Sequence, residues 1–333
     1  MVETPLHNQF VTSQGSAHTA RAVEICLTLE DGRTFRGESV PVKYVTGETI
    51  ESVMDTCASI APHLIGADVS RYRSTMSVVA FNAPNSPSAR CGLEMALLAA
   101  FAATSGLKLH TLFGGSVQSV ETDVTIPIVA NASELAELAW ALGMHVFKVK
   151  VGDPDRDADL ARVMAIHAAA PDARIRIDAN QAFAPAEAVS FVTRLMDDGV
   201  DIELLEQPVP KDDFEALGWV AEHSPVLVFA DESCRTPADA LKLVTTTAVH
   251  GLNLKINKNG IAGVLDIIAI ARAANRKLMI GCMLETRYSI ACSLAIACGT
   301  GAFSYVDLDS HLLLDEAIGD AYFAQDGPIL ALE

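Results

Sequence analysis

FKVK at 147–150, IRID at 175–178, IELLE at 202–206, VLVFAD at 226–231 and LNLK at 252–255 each carry an apolar run into a titratable residue. The end residues are Lys150, Asp178, Glu206, Asp231 and Lys255, spaced 28, 28, 25 and 24 apart. That step matches one strand, one crossover helix and two loops. Charged groups at the C-terminal ends of successive parallel strands are how a (β/α) barrel assembles a site. Any one carboxylate could instead cap the next helix. The five together, at this spacing, point to a metal flanked by two bases.

Outward from these runs, strand–helix alternation is regular. Strands are predicted at 123–129, 146–151, 174–178, 201–206, 226–231, 250–255, 278–282 and 302–307. Asp153-Pro154, Ala184-Pro185 and Thr236-Pro237 put proline at or near helix starts, and Gly199 stops the second helix. Eight strands argue for closure rather than an open sheet. The region before them differs. Ala22–Leu29 alternates as a strand, Asp31-Gly32 turns, and a second strand runs through Phe35. Helices are predicted from near Thr46–Glu48 to Leu64 and from Ser88 to Thr104. The fold class is therefore α/β, with an α+β unit over 1–115 and a barrel over 120–315. The last stretch, 316–333, breaks the alternation and is expected to return to the first unit.

The chain of 333 residues carries 42 acidic and 24 basic residues, a formal charge of −18. Nothing there would neutralise phosphates, which argues against nucleic-acid or membrane partners. The seven cysteines form no CxxC pair and read as small buried residues of a reducing, cytoplasmic protein. MVETPLHNQF has no basic-then-apolar leader pattern, and no apolar run is long enough to span a bilayer.

In a closed barrel Asp178, Glu206 and Asp231 form a contiguous arc. Three converging carboxylates repel one another without a cation, and oxygen-only ligation favours Mg²⁺, with Mn²⁺ as the alternative. Lys150 and Lys255 fall on opposite strands, suited to removing a proton from one face of a carbon and returning one to the other. A neighbouring like charge, Lys148, is expected to depress the pKa of a lysine base. His145 and His250 read as structural. Glu285 divides between positioning and capping. Asp307 and Asp309 share a face at the end of strand eight and could hold a cation.

FKVKVG, RIDANQ, LLEQP, FADES and LNLKINKNGI, with YVTGET and LHTLFGG before the barrel, resemble the enolase superfamily in its muconate-lactonizing-enzyme-like subgroup. The resemblance covers nearly the whole chain. It implies a capping domain, completed by the C-terminal segment, over a modified TIM barrel, (β/α)7β. It implies Asp178, Glu206 and Asp231 as ligands of one Mg²⁺ per subunit, Lys150 and Lys255 as the acid/base pair, and Lys148 as their assistant at the substrate carboxylate. The DLD at 307–309 is similar to the strand-eight motif of dipeptide epimerases, whose two acids hold the substrate's α-ammonium. The GCMLET stretch, with Cys282 and Met283, is similar to their substrate-lining segment. The expected reaction is inversion at the second residue's Cα through an enediolate. An N-acylamino-acid racemase or o-succinylbenzoate synthase is the alternative from the same superfamily, and a non-catalytic ligand-binding barrel is disfavoured by the paired lysines. The loop FVTSQGSAHT at 10–19 has Gln14 where Ala-Glu epimerases carry an arginine, so Ala-Glu is not the expected substrate. The sequence leaves a homo-oligomer open.

Overall fold

A computed structural model describes residues 1–315 and 322–332. The first unit is an antiparallel sheet of β1 (Val2–Thr12), β2 (Gly15–Thr28) and β3 (Thr34–Ser39) with helices α1 (Lys43–Thr46), α2 (Ile50–Leu64), α3 (Tyr72–Asn82), α4 (Pro87–Thr104) and α5 (Leu109–Leu112). Thr49 starts α2 with a reciprocal capping box to Ser52. Helix α4 is rich in alanine and has Gly92 facing the sheet, which lets it lie close on the sheet. A side chain at Gly92 would meet Ser39 Oγ at 2.4 Å and Ile25 Cδ1 at 2.6 Å.

A short strand, β4 (Ser119–Glu121), precedes the barrel. There follow β5 (Val124–Ile126), α6 (Ala132–Ala141), β6 (Val146–Lys150), α7 (Arg156–Ala169), β7 (Arg174–Asp178), α8 (Pro185–Asp197), β8 (Ile202–Glu206), α9 (Phe214–His223), β9 (Leu227–Ala230), α10 (Pro237–Thr246), β10 (Gly251–Leu254), α11 (Ile256–Asn259), α12 (Ile261–Ala273), β11 (Lys277–Gly281), α13 (Arg287–Thr300) and β12 (Tyr305–Asp307). The eight strands β5 to β12 pair in chain order, all parallel. Asp123 N donates to Val306 O at 3.2 Å where the first and last strands approach. This is the (β/α)7β arrangement. Its strands are buried on both faces, as parallel strands wrapped by helices must be.

Three features depart from expectation. The Phe10–His18 loop belongs to a long hairpin of β1 and β2 whose turn is at Ser13-Gln14. Pro154 does not open α7: Asp155 is the cap, accepting from Asp157 N and Ala158 N. The C-terminal strands β13 (Phe323–Asp326) and β14 (Ile329–Leu332) pair with β4, not with the β1–β3 sheet. That sheet is touched earlier, by Leu313–Asp315 against Pro5–His7. The remainder of the expected returning segment, 316–321 and 333, lies outside the described residues. Among the described residues no helix is long and apolar enough to cross a membrane. The cysteines are unpaired, and Cys26 is exposed rather than buried.

Candidate active site

Strand pleating sends Lys148 and Lys150 to the same side of β6, into the barrel. Lys148 Nζ lies 2.6 Å from Asp307 Oδ2, 2.9 Å from Glu206 Oε2 and 3.2 Å from Asp178 Oδ2. Lys150 Nζ reaches Asp178 Oδ2 at 2.5 Å. Across the ring, Lys255 follows β10, with β7, β8 and β9 between, and its Nζ lies 2.8 Å from Asp231 Oδ2. All these groups are buried, the two outer lysines being 6% exposed each.

A fourth lysine, absent from the sequence reading, completes the set. Lys258 is wholly buried on α11 and donates to Asp231 Oδ1 at 2.5 Å, Asp231 O at 2.6 Å and Asn253 O at 2.7 Å. Two of its acceptors are backbone carbonyls, which leave no mark in a sequence. Its place one turn after Lys255, in LKINK, is the only signal. Asn253 was also missed. Its Nδ2 donates to Glu206 Oε1 at 2.7 Å.

The loops after β7 and β8 are held in an uncommon backbone shape. Asn180, Gln181 and Gln207 have φ of 40°, 74° and 34°, a region costly for side chains other than glycine. Gln207 is over-determined by four bonds. Its Oε1 accepts from Asp231 N and Ser233 N, and its Nε2 donates to Val209 O and Ser233 Oγ, all within 3.0 Å. The side chain after Glu206 therefore fixes the loop that carries Asp231.

Burial raises all three carboxylates of the arc, and the lysines decide the outcome. At Asp231, Lys255 and Lys258 outweigh burial and hold it far below the usual carboxylate range. At Asp178, Lys150 and Lys148 bring it to about 2. Glu206 is pushed up to about 7, by burial and then by Asp178. Burial lowers Lys255, but Asp231 more than compensates and leaves it well above its ordinary value. The expected depression is thus not seen in this charge arrangement, although Lys148 does push Lys255 downward.

Asp178, Glu206 and Asp231 end adjacent strands and offer only oxygens. Glu206 Oε2 has no hydrogen bond of sound geometry even with Lys148 Nζ at 2.9 Å. A hard divalent cation fits this donor set. A second acidic group adjoins the arc, sharing Lys148 with it. Asp123, Asp307 and Asp309 are buried with oxygens within 4.8 Å of one another. Asp123 is paired to Arg176 at 2.7 Å, Asp307 to Lys148, and Asp309 Oδ2 accepts from Thr125 N at 2.5 Å. Of this group Asp307 and Asp309 line the cavity and offer carboxylate oxygens to a cation there.

The capping unit closes the mouth. Gln14 Nε2 donates to Asn180 O at 2.7 Å, and Ser13 Oγ to the same oxygen at 3.0 Å. Gly152 (φ +125°) makes room: a Cβ there would sit 2.5 Å from Ser13 Cβ. Val40 N donates to Asn257 Oδ1 at 2.8 Å, tying the segment before α1 to α11. Beneath lies a cavity of 420 Å³ lined by Phe10, Gln14, Tyr44, Cys282 and Met283, by Lys148, Lys150 and Lys255, and by Asp231, Asp307 and Asp309. Glu285 sits behind it, taking Met283 N at 3.1 Å, a positioning contact.

Residues 1–114 match the family model described as mandelate racemase / muconate lactonizing enzyme, N-terminal domain, and 130–332 match the enolase C-terminal domain-like model. The chain belongs to the mandelate racemase / muconate lactonizing enzyme family, within the enolase superfamily. The chain is 35% identical to an aromatic dipeptide epimerase of Herpetosiphon aurantiacus over 99% of this chain and 94% of that protein. It is 37% identical to an L-Ala-D/L-Glu epimerase of Thermotoga maritima over 98% and 93%. Among solved structures it is similar to a dipeptide epimerase of Enterococcus faecalis complexed with Mg and L-Leu-L-Tyr. That likeness has TM-score 0.95 and 31% identity, covering 100% of this chain and 95% of that one.

Proposed function

We propose that this member of the mandelate racemase / muconate lactonizing enzyme family is a cytoplasmic, Mg²⁺-dependent dipeptide epimerase that inverts the Cα of the second residue. One observation carries the reading: ammonium groups on opposite walls, Lys150 and Lys255, face one cavity that Asp231 of the all-oxygen carboxylate arc lines together with Asp307 and Asp309. Asp178, Glu206 and Asp231 would hold the ion, which when bound draws off the charge developing on the substrate carboxylate. Lys148 supports that charge from beside Asp178 and Glu206. One outer lysine, as the neutral amine, takes the α-proton from its face. The other, as the ammonium, returns a proton to the opposite face. Asp307 and Asp309 hold the α-ammonium and so fix which Cα stands between the lysines. Residues 1–115 act as the cap and 120–315 as the catalytic barrel.

The test is proton exchange. A panel of L,L-dipeptides with Mg²⁺ in D₂O is expected to gain deuterium at the second Cα, to lose this after exhaustive EDTA, and to regain it on adding Mg²⁺. No exchange from any dipeptide, or full exchange after EDTA, sinks the proposal.

The acidic pair gives a second expected result. Asp309→Asn keeps an oxygen for Thr125 N but removes charge from the ammonium site. A hydrogen bond to a charged group contributes about 1.5–3 kcal/mol, so kcat/KM should fall ~10- to ~150-fold, mostly through KM. N-acetylation of the substrate should cost a similar factor. Preference for the N-acetylated form would favour the N-acylamino-acid racemase reading instead.

Specificity at the second residue follows from the hairpin turn. Gln14 is neutral and committed to Asn180 O, and Arg21 is paired with Glu3 at 2.9 Å. Lys43, missed in the sequence reading, also lines the cavity but is exposed, where a charge contact is worth little. Ala-Glu is therefore expected to be turned over more slowly than dipeptides with an uncharged second residue, and Gln14→Arg to shift preference toward Glu. A wild-type kcat/KM highest for Ala-Glu would show the hairpin argument to be wrong.

A further inference from the structure

A second cavity, of 450 Å³, lies against the first, and Phe10, Thr125 and Leu313 line both. Its wall is apolar. Ile126 and Met144 are buried at its base, with Leu135 beside them. Leu138 on α6 and Leu142 at its C-terminal cap stand 60% and 65% exposed at its rim. Its roof is irregular strand. The β1–β2 register jumps between Pro5 and Phe10, and Leu6–Gln9, which have no partner in β2, all line this cavity. A bulge of that kind re-aims side chains beside a site.

Position relative to the acidic group gives the cavity its occupant. Thr125, in the shared wall, donates its N–H to Asp309. On the reading above, Asp309 holds the substrate's α-ammonium. The carbon bearing that nitrogen also bears the first residue's side chain, so this side chain leaves from beside Thr125, Phe10 and Leu313. We propose that the cavity behind Phe10 and Leu313 takes the side chain of the first residue, and that the enzyme selects dipeptides with a large apolar N-terminal residue. This rests on the epimerase reading and adds to it the substrate class at position one. A free ammonium at Asp307 and Asp309 rules out further chain on that side, so a side chain is the only part of a dipeptide that can enter.

The test holds the second residue fixed and varies the first among Gly, Ala, Leu and Phe, with exchange into D₂O as readout. A hydrophobic pocket gains about 10- to 200-fold for each methylene it accommodates well, so Leu-first substrates should exceed Ala-first ones by tenfold or more in kcat/KM. Ala139→Phe, on α6 facing the cavity, should cut the Leu-to-Ala ratio at least tenfold. Leu138→Trp, at an exposed rim position, is the second variant and should lower the same ratio should Ala139→Phe fail to fold. Ala-first substrates equal to or better than Leu-first ones overturn the proposal, as does a ratio that neither variant moves. An unmoved ratio together with self-association of the wild type that Leu138→Trp abolishes would assign the face to a second copy of the chain. Absence of exchange from every dipeptide is a different result, and removes the epimerase reading and this inference together.

Discussion

Replacing Lys255 with alanine is expected to stop epimerisation while leaving α-proton exchange from one of the two epimers measurable. The two lysines face the cavity from strands four places apart in an eight-strand ring, so each can reach only one face of a carbon held between them. Lys150→Ala should spare exchange from the opposite epimer. Loss of a positioned acid or base costs about 10²–10⁴-fold, and inversion needs both, so each variant should lose inversion by that factor or more. The measurement is NMR of the L,L and L,D substrates in D₂O, with wild type and both variants side by side. If one variant loses exchange from both epimers and the other from neither, a single base serves both faces and the division by face is wrong.

The second large effect separates two carboxylates of the same arc. Asp231→Asn and Glu206→Gln should both abolish activity, because each removes a ligand charge from the proposed metal site. Without added metal they should differ in stability. Asp231 is the carboxylate in contact with Lys255 and also lies on Lys258, and removing one member of a buried ion pair costs about 3–5 kcal/mol. Thermal denaturation in EDTA should show Asp231→Asn melting several degrees lower. Glu206 has the opposite sign. Its folded pKa, about 7, is above its ordinary 4.5, so its charge costs stability as pH rises through that interval. Glu206→Gln should melt no lower than wild type at pH 7.5, and should lose less stability than wild type between pH 4.5 and 7, the remaining loss coming from Glu94, Glu232 and Glu285, which burial also pushes up to about 7. Equal destabilisation by the two substitutions would show that the lysines share their counter-charge evenly.

What the sequence made legible was whatever periodicity writes into it. Lys150, Asp178, Glu206, Asp231 and Lys255 were readable because each ends an apolar run and strands repeat at nearly fixed length. The β1 strand was not, since Pro5 and the register jump before Phe10 break the alternation that marks a strand. Lys258 and Asn253 were hidden because the first is held by two backbone carbonyls and a carboxylate 27 positions away, and the second by a residue 47 positions away. The direction of the Lys255 shift depended on its 2.8 Å contact with Asp231, a distance no spacing rule supplies. The pairing of β14 with β4 joins strands about 200 residues apart, with no local signature.

On the proposed two-lysine reaction, the hairpin turn resting on Asn180 O is expected to act as a clock. While Ser13 and Gln14 keep their bonds to that carbonyl, Lys150 and Lys255 are almost cut off from bulk water. An abstracted proton then stays on its lysine until the cap lifts. A single inversion delivers hydrogen from the second lysine, so the original hydrogen can return only when the substrate is inverted back within one closure and recovers it from the lysine that took it. The label found in recovered starting epimer, diluted by the other hydrogens of that ammonium, is therefore the reading of how long the hairpin stays down. Ser13→Ala, which removes one of the two latches, should shorten that interval and lower the retained fraction, with the chemistry between the lysines unchanged.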